Sequence, residues 1–322
     1  MEIDAMSLML CLGHGKDGNG VYADLMRMPH LLILGKADRL LSSLICQLAS
    51  CHSPEEMRTA VISESGLEEL CSLPHLLFPV LRNAEDAEAA LRWAVDETDR
   101  RYELFAREGV YNIERYNREA QSKLYLAVIA IDGIDKLTEN GIEYIARIGA
   151  KSRAAGIHLI ACTDKATTKA IPAAVKANIP SRIAFKTENA KESRLILDTA
   201  GAELLEKGDV LFSPIGAVQP TLLAPEIFTE AQTAQALGRA RRYGTPALID
   251  LPRPTEKRPR DFYAEALELT AGRERVSIAL LMRALKIGYA KAAGLMEKME
   301  KEGYVGPYNG SKPRKVLVSS KK

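Results

Sequence analysis

Gly35 and Ser42 stand where a phosphate-binding loop of the form GxxxxGK[ST] has its first and last members. Such a loop grips phosphate because successive backbone N–H groups turn inward and its lysine reaches the β- and γ-phosphates. Here the two positions before Ser42 are Leu40 and Leu41. Leucine does not readily take glycine's conformations, and it offers no charge. Lys36 lies inside the loop as a substitute cation. The plainer reading is that both leucines face the core and the site is filled or closed. The second candidate is Asp132, which ends the apolar run YLAVIAID where an acid can orient magnesium. Hydrolysis then needs a neighbouring glutamate to polarise water. The neighbour is Gly133, with Asp135 two residues further on. The plainer reading of Asp132 is a turn or cap residue.

The elements that must hold these residues read clearly. Leu31–Leu34 is a short buried strand, followed by the turn at Gly35 and a helix with Leu40, Leu41, Leu44, Ile45 and Leu48 on one face. Residues 1–27 suit a hairpin around a Gly/Asp/Asn turn. Further strands are expected at Thr59–Ser63, Tyr125–Asp132, Ile157–Cys162, Arg182–Phe185 and Asp209–Phe212, with helices over Ala84–Glu108 and Ile142–Ala155. Apolar strands alternating with helices predict an α/β fold with helices on both faces of a parallel or mixed sheet.

Composition is that of a globular protein: 47% of the residues are hydrophobic and 27% charged. Cys11, Cys46, Cys51, Cys71 and Cys162 form no CxxC pair and read as reduced thiols, so neither a metal site nor a disulfide framework is expected. No signal peptide and no transmembrane span is apparent, and a cytoplasmic location is expected. Charge is uneven. Residues 253–322 carry 16 Lys/Arg against 8 Asp/Glu, leaving 28 against 34 in the first 252. A basic tail on an acidic body points to a polyanionic partner.

The proline-rich charged stretch 246–260 reads as a linker between a domain at 1–245 and a second at 261–322. The second holds helices at Phe262–Ala271, Ser277–Ala284 and Tyr289–Glu302, then two short strands within Gly303–Val318 around a turn at Tyr308. Three helices and a basic hairpin form the pattern of a winged helix-turn-helix. Candidate DNA contacts are Lys286, Tyr289, Lys291, Lys312, Arg314 and Lys315. Base readout needs bidentate donors, whereas phosphate contact needs only positive charge, so DNA binding with weakened or changed sequence preference is expected.

MPHLLILG, ALRWAVDETDRRYELFAREGVYNIERYN, KSRAAGIHLIACT, KANIPSRIAF and ESRLILDTAGAELLEKGDVLF resemble the motor domain of the FtsK/SpoIIIE family of double-stranded DNA translocases. SIALLMRALKIGYAKAAGLMEKMEKEGYV resembles that family's C-terminal winged helix. The resemblance runs in order from about Gly13 to Val318. It implies a RecA-like P-loop NTPase fold with a mainly parallel sheet, plus a small winged helix. It also implies double-stranded DNA as partner, a homo- or hetero-oligomer that can include intact translocase subunits, and a packing role for Arg153 and Arg182. The departures fall on motif positions. Leu40 and Leu41 replace the Walker A glycine and lysine while Ser42 matches; Gly133 replaces the acid after the Walker B Asp132; Thr163-Asp164-Lys165-Ala166 stands for Thr-Gln-Arg-Pro. No catalytic residue is expected. Gly35, Ser42 and Asp132 are residual nucleotide-binding positions for ATP and magnesium if the site still binds. The function expected is a non-hydrolysing assembly or regulatory subunit in DNA translocation or segregation. The alternatives are an active translocase, with Lys36 or Lys165 and Asp135 or Asp164 as substitutes, and a transcriptional or mobile-element regulator.

Overall fold

The computed structural model describes residues 6–251, 262–271, 273–285, 287–308, 310 and 313–317. The chain divides into two compact units, Met1–Arg253 and Pro254–Lys322.

The first unit opens with the antiparallel hairpin β1 (Met9–His14) and β2 (Gly20–Asp24). It continues through β3 (His30–Leu34), α1 (Asp38–Cys51), β4 (Met57–Ser63), α2 (Ala84–Glu108), α3 (Ile113–Glu119), β5 (Leu126–Asp132) and α4 (Glu139–Lys151). Then come β6 (Ile157–Thr163), α5 (Ala173–Asn178), β7 (Ser181–Phe185), α6 (Ala190–Leu197), β8 (Val210–Ser213), β9 (Thr221–Pro225) and α7 (Glu230–Ala240). One nine-stranded sheet runs in the order β2-β1-β9-β8-β7-β3-β6-β5-β4. Strands β7, β3, β6, β5 and β4 are parallel. From β7 outward to β2 every pairing is antiparallel, so the sheet is parallel on one side and antiparallel on the other.

Two faces of apolar residues explain the layering. In β3, Leu31 and Ile33 join the core under α1 and α7, while Leu32 and Leu34 join the core under α2 and α4. Alternate residues of a strand point to opposite faces, so a continuous apolar run is what a strand covered on both sides needs. The long α2 is delimited by local signals: the Asn83 side chain accepts from Asp86 N at its start, and Gly109 at φ 67 ends it. Helix α4 begins earlier than the periodicity predicts because Thr138 caps it, and it ends at Lys151 before a separate turn at Arg153–Ala155. The first part of the expected linker lies on this unit. Ile249 N donates to Leu77 O at 2.8 Å, and Arg58 donates to Ala247 O. Residues 252–260 lie outside the described residues.

The second unit contains α8 (Phe262–Thr270), β10 (Arg275–Val276), α9 (Ile278–Leu285), α10 (Tyr289–Lys301) and β11 (Arg314–Lys315). Leu281, Leu285, Ala292, Met296, Met299 and Val305 are its core. The expected hairpin is altered: β11 pairs with β10, which precedes α9, and among the described residues the segment after α10 adds the bridge Val305–Val316. The three helices and the small sheet form a winged helix. No helix among the described residues is long and apolar enough to cross a membrane.

Candidate functional site

The C-terminal ends of β3, β5 and β6 converge on one edge of the sheet. Gly35 N donates to Thr163 O at 2.8 Å, and Gly133 N to Cys162 O at 3.0 Å. Gly35, Asp132 and Thr163 are thereby brought together. An open crevice at strand ends is where an α/β sheet binds ligands.

The turn between β3 and α1 is short. Helix α1 already begins at Asp38, and Leu41 N donates to Ala37 O at 2.7 Å. An N–H that a phosphate loop turns toward its ligand is thus taken up inside the helix. Leu40 and Leu41 are both fully buried, part of the core they share with β3. Asp38 occupies the first helical turn, where a carboxylate interacts well with the helix dipole and poorly with a second anion. Gly35, at φ 120, has a packing reason of its own: a Cβ there would stand 2.6 Å from Phe185 Cβ on β7. Ser42 donates to Glu69 Oε1 at 2.5 Å, and no hydrogen bond joins it to Asp132 among the described residues. Lys36 is exposed.

At the end of β5, Asp132 Oδ2 accepts from Ser63 Oγ at 2.9 Å. Burial holds the Asp132 carboxyl above its ordinary range. The Ser63 hydroxyl opposes this, and Asp38 and Asp164 add to it. Gly133 sits at φ 99, so a glutamate there would need left-handed backbone, and its Cβ would meet Lys136 Cδ at 2.9 Å. The space bounded by Asp132, Gly133, Lys136, Glu64 and Arg82 is about 10 Å³, room for one water at most. Asp135 does not face that space freely. It accepts from Lys165 Nζ at 2.6 Å and Thr163 Oγ1 at 3.2 Å, which holds its carboxyl below the ordinary range despite burial. In this arrangement the residues do not fit a triphosphate with magnesium: the lysine position is buried and uncharged, and the serine is turned to Glu69.

The other candidates divide by burial. Arg153 is exposed. Arg182 is not an outward arginine. It donates to Asp198 Oδ2 at 2.5 Å, to Ile196 O at 3.0 Å and to Lys176 O at 3.0 Å, and so closes the α5–β7–α6 corner. In the second unit Tyr289 is 64% exposed. Lys291 is exposed, with its ammonium 3.6 Å from the centre of the Phe262 ring. Lys315 is exposed as well. Arg314 is 7% exposed, donates to Glu300 Oε2 at 2.5 Å and lies over the Tyr308 ring, so its charge is paired within the unit. Lys286 and Lys312 lie outside the described residues.

Comparison with known proteins decides the lineage. A sequence model of the FtsK/SpoIIIE family matches residues 1–130, and one of the FtsK gamma domain matches residues 259–319. The chain is 36% identical over 337 residues to DNA translocase FtsK of Clostridium acetobutylicum, covering 97% of this chain and 44% of that protein. It is 35% identical over 342 residues to DNA translocase SpoIIIE of Bacillus subtilis, covering 98% of this chain and 44% of that protein. The chain belongs to the FtsK/SpoIIIE family. It spans less than half the length of these curated relatives. Solved structures add the fold. The conjugation coupling protein TcpA with ATPγS superposes with a TM-score of 0.62 at 20% identity, covering 74% of this chain and 71% of that one. The cytoplasmic domain of the Thermomonospora curvata secretion ATPase EccC gives 0.64 at 20% identity, covering 79% of this chain and 32% of that one. The RecA-like fold is therefore present, and the second unit corresponds to the FtsK gamma domain.

Within that family fold, the Ser42–Glu69 bond, the early start of α1 and the packing of Gly35 on Phe185 were not foreseen. Only the start of α1 had a signal, and a weak one. Asp38 is a typical first-turn residue, and Leu40, Leu41, Leu44 and Ile45 already form an amphipathic stripe from that start.

Proposed function

We propose that this chain is a double-stranded-DNA-binding member of the FtsK/SpoIIIE family whose motor-like unit does not turn over ATP. It would serve as an assembly or regulatory subunit in DNA translocation or segregation, alone or alongside intact translocase subunits. One observation carries the reading: α1 starts at Asp38 and buries both Leu40 and Leu41, so that the phosphate turn is closed by core packing. Phosphoryl transfer depends almost wholly on positioning and charge stabilisation, so a site without the lysine and the acid after Asp132 forgoes most of its rate. The exposed Tyr289, Lys291 and Lys315 of the gamma-like unit support backbone contacts to DNA, and the exposed Arg153 supports packing against a neighbouring subunit.

A second reading has one observation in its favour: Lys165, Asp135 and Thr163 meet at the same strand edge and could form a rebuilt site. ATP hydrolysis by the full chain, with and without long duplex DNA, separates the two. The proposal expects DNA binding without stimulated turnover. Turnover abolished by both Asp132→Ala and Lys165→Ala would establish the second reading instead.

A further inference from the structure

We infer that Cys11, His14 and Glu226 form a zinc site where β1 meets the end of β9, on the antiparallel side of the sheet. The thiol, one imidazole nitrogen and one carboxylate oxygen all lie within 4.8 Å of one another, and His14 Nδ1 is 3.4 Å from Glu226 Oε2. Zinc bonds of about 2.0–2.3 Å in a tetrahedron set neighbouring donors roughly 3.5 Å apart. The imidazole and carboxylate already have that spacing. The thiol closes the remainder by side-chain rotation, and water takes the fourth position.

The backbone explains why these three residues meet. In a regular strand, residues 11 and 14 point to opposite faces. Strand β1 carries a register shift between Cys11 and Gly13: Cys11 opposes Tyr22, and Gly13 opposes Val21. The extra residue, Leu12, keeps its side chain in the core, and the bulge re-phases the strand so that His14 projects on the side of Cys11. Glu226 arrives from the end of β9, where its N–H donates to Leu12 O at 3.1 Å. Cys11 itself is clamped by the Gln47 amide of α1, which accepts from Cys11 N at 2.8 Å and donates to Cys11 O at 3.1 Å. A cysteine with its backbone held and its thiol free to rotate, an exposed histidine and a carboxylate from the end of another strand supply donors of the kind zinc takes. Binding displaces the thiol proton and ties β1 to the end of β9, where only Gly13–Pro225 and His14–Ala224 pair.

Cobalt titration of the reduced full chain tests the site, because a thiolate–cobalt bond absorbs in the near ultraviolet. The two exposed thiols are first removed in a Cys51→Ser/Cys71→Ser background. The expected result is a stoichiometric band, displaced by zinc and lost in Cys11→Ser. His14→Ala and Glu226→Gln should weaken cobalt binding by about tenfold or more, since even outer partners of a metal site cost 10–100-fold. Zinc should also raise the melting temperature of the parent and not of Cys11→Ser. No band at saturating cobalt, or a band unchanged by Cys11→Ser, overturns the inference. If that variant does not fold, His14→Ala and Glu226→Gln decide in its place: cobalt affinity unchanged in both overturns the site.

Discussion

The turn after β3 and the third helix of the second unit are the two places where the family's chemistry should sit, and they differ in one respect. At the turn, apolar side chains stand at the motif positions and have been drawn into the core: Leu40 and Leu41 have no exposed surface. On α10, Tyr289 and Lys291 remain at the surface, Lys291 with its ammonium over the Phe262 ring. A surface position can change its residue and still be available to a ligand. A buried position that has become apolar is held by packing, and restoring the old residue there works against the fold.

The largest effect should come from rebuilding the loop. Leu40→Gly with Leu41→Lys removes two buried leucines and places an ammonium in a dry core. The first change alone costs about 2–5 kcal/mol, and the second adds the desolvation of a charge. Thermal unfolding should show the first unit destabilised by at least about 4 kcal/mol, with no gain in ATP binding. A stable double variant that hydrolyses ATP would mean that the turn is an open phosphate loop, and the contrast with α10 would vanish.

Acid should separate the two units next. All five histidines of the chain precede residue 253. Burial, with help from His158 and Arg153, lowers His30 to about 3, and burial lowers His158 to about 4. A histidine lowered in the folded state stays neutral where the unfolded chain takes up a proton. Stability is therefore full above pH 6.5 and falls as the pH drops from there toward 4. The loss for this neighbouring pair is on the order of a few kcal/mol. Hydrogen exchange across that window should show the first unit opening and the second little changed. Equal loss of protection in both would count against it.

Much of this organisation was legible in the sequence, for identifiable reasons. The β5 run and the α2 boundaries were readable because apolar continuity, Asn83 and Gly109 are local signals. The partners of charged residues were not. Arg101 is fully buried in α2, donating to Glu97 and to the carbonyls of Tyr125 and Ala155, yet its neighbours in sequence look like an exposed polar face. The surroundings of Arg182 and Arg314 were hidden for the same reason: whether an arginine reaches solvent is decided by carboxylates and carbonyls brought from elsewhere in the chain. The candidate zinc site is hidden in the sequence because a bulge, invisible to periodicity, sets its face.

The same dependence on distant partners predicts a split among the basic residues of the second unit. Lys291→Ala and Lys315→Ala should each weaken duplex binding across all sequences and lower the salt slope by about one, as loss of a phosphate contact does. Arg314→Ala should instead destabilise the second unit by about 1–3 kcal/mol, since it takes the cation from Glu300 Oε2 and, among the described residues, leaves that carboxylate only the Tyr308 N–H. If Arg314→Ala lowers the salt slope while the unit keeps its melting temperature, the arginine contacts DNA and the ion pair opens on binding.

The smallest effect should come from Asp132→Asn, and its sign tests the turn most directly. Burial raises the folded carboxyl above its ordinary 3.8. Its contribution to stability is then complete below that value and is lost as pH rises through the folded one, so at neutral pH the charge opposes folding. Asparagine keeps an acceptor for the Ser63 hydroxyl and removes the charge. Because Asp132 is only half-buried, solvent screening limits the gain to less than about 1 kcal/mol, and the gain should disappear in acid. An acid that held magnesium for catalysis would behave otherwise: Asp132→Asn would abolish nucleotide-dependent turnover, and added magnesium with ATP would stabilise the parent more than the variant. Equal melting shifts with the nucleotide, or none, would leave Asp132 as an inherited strand-end acid at a closed turn.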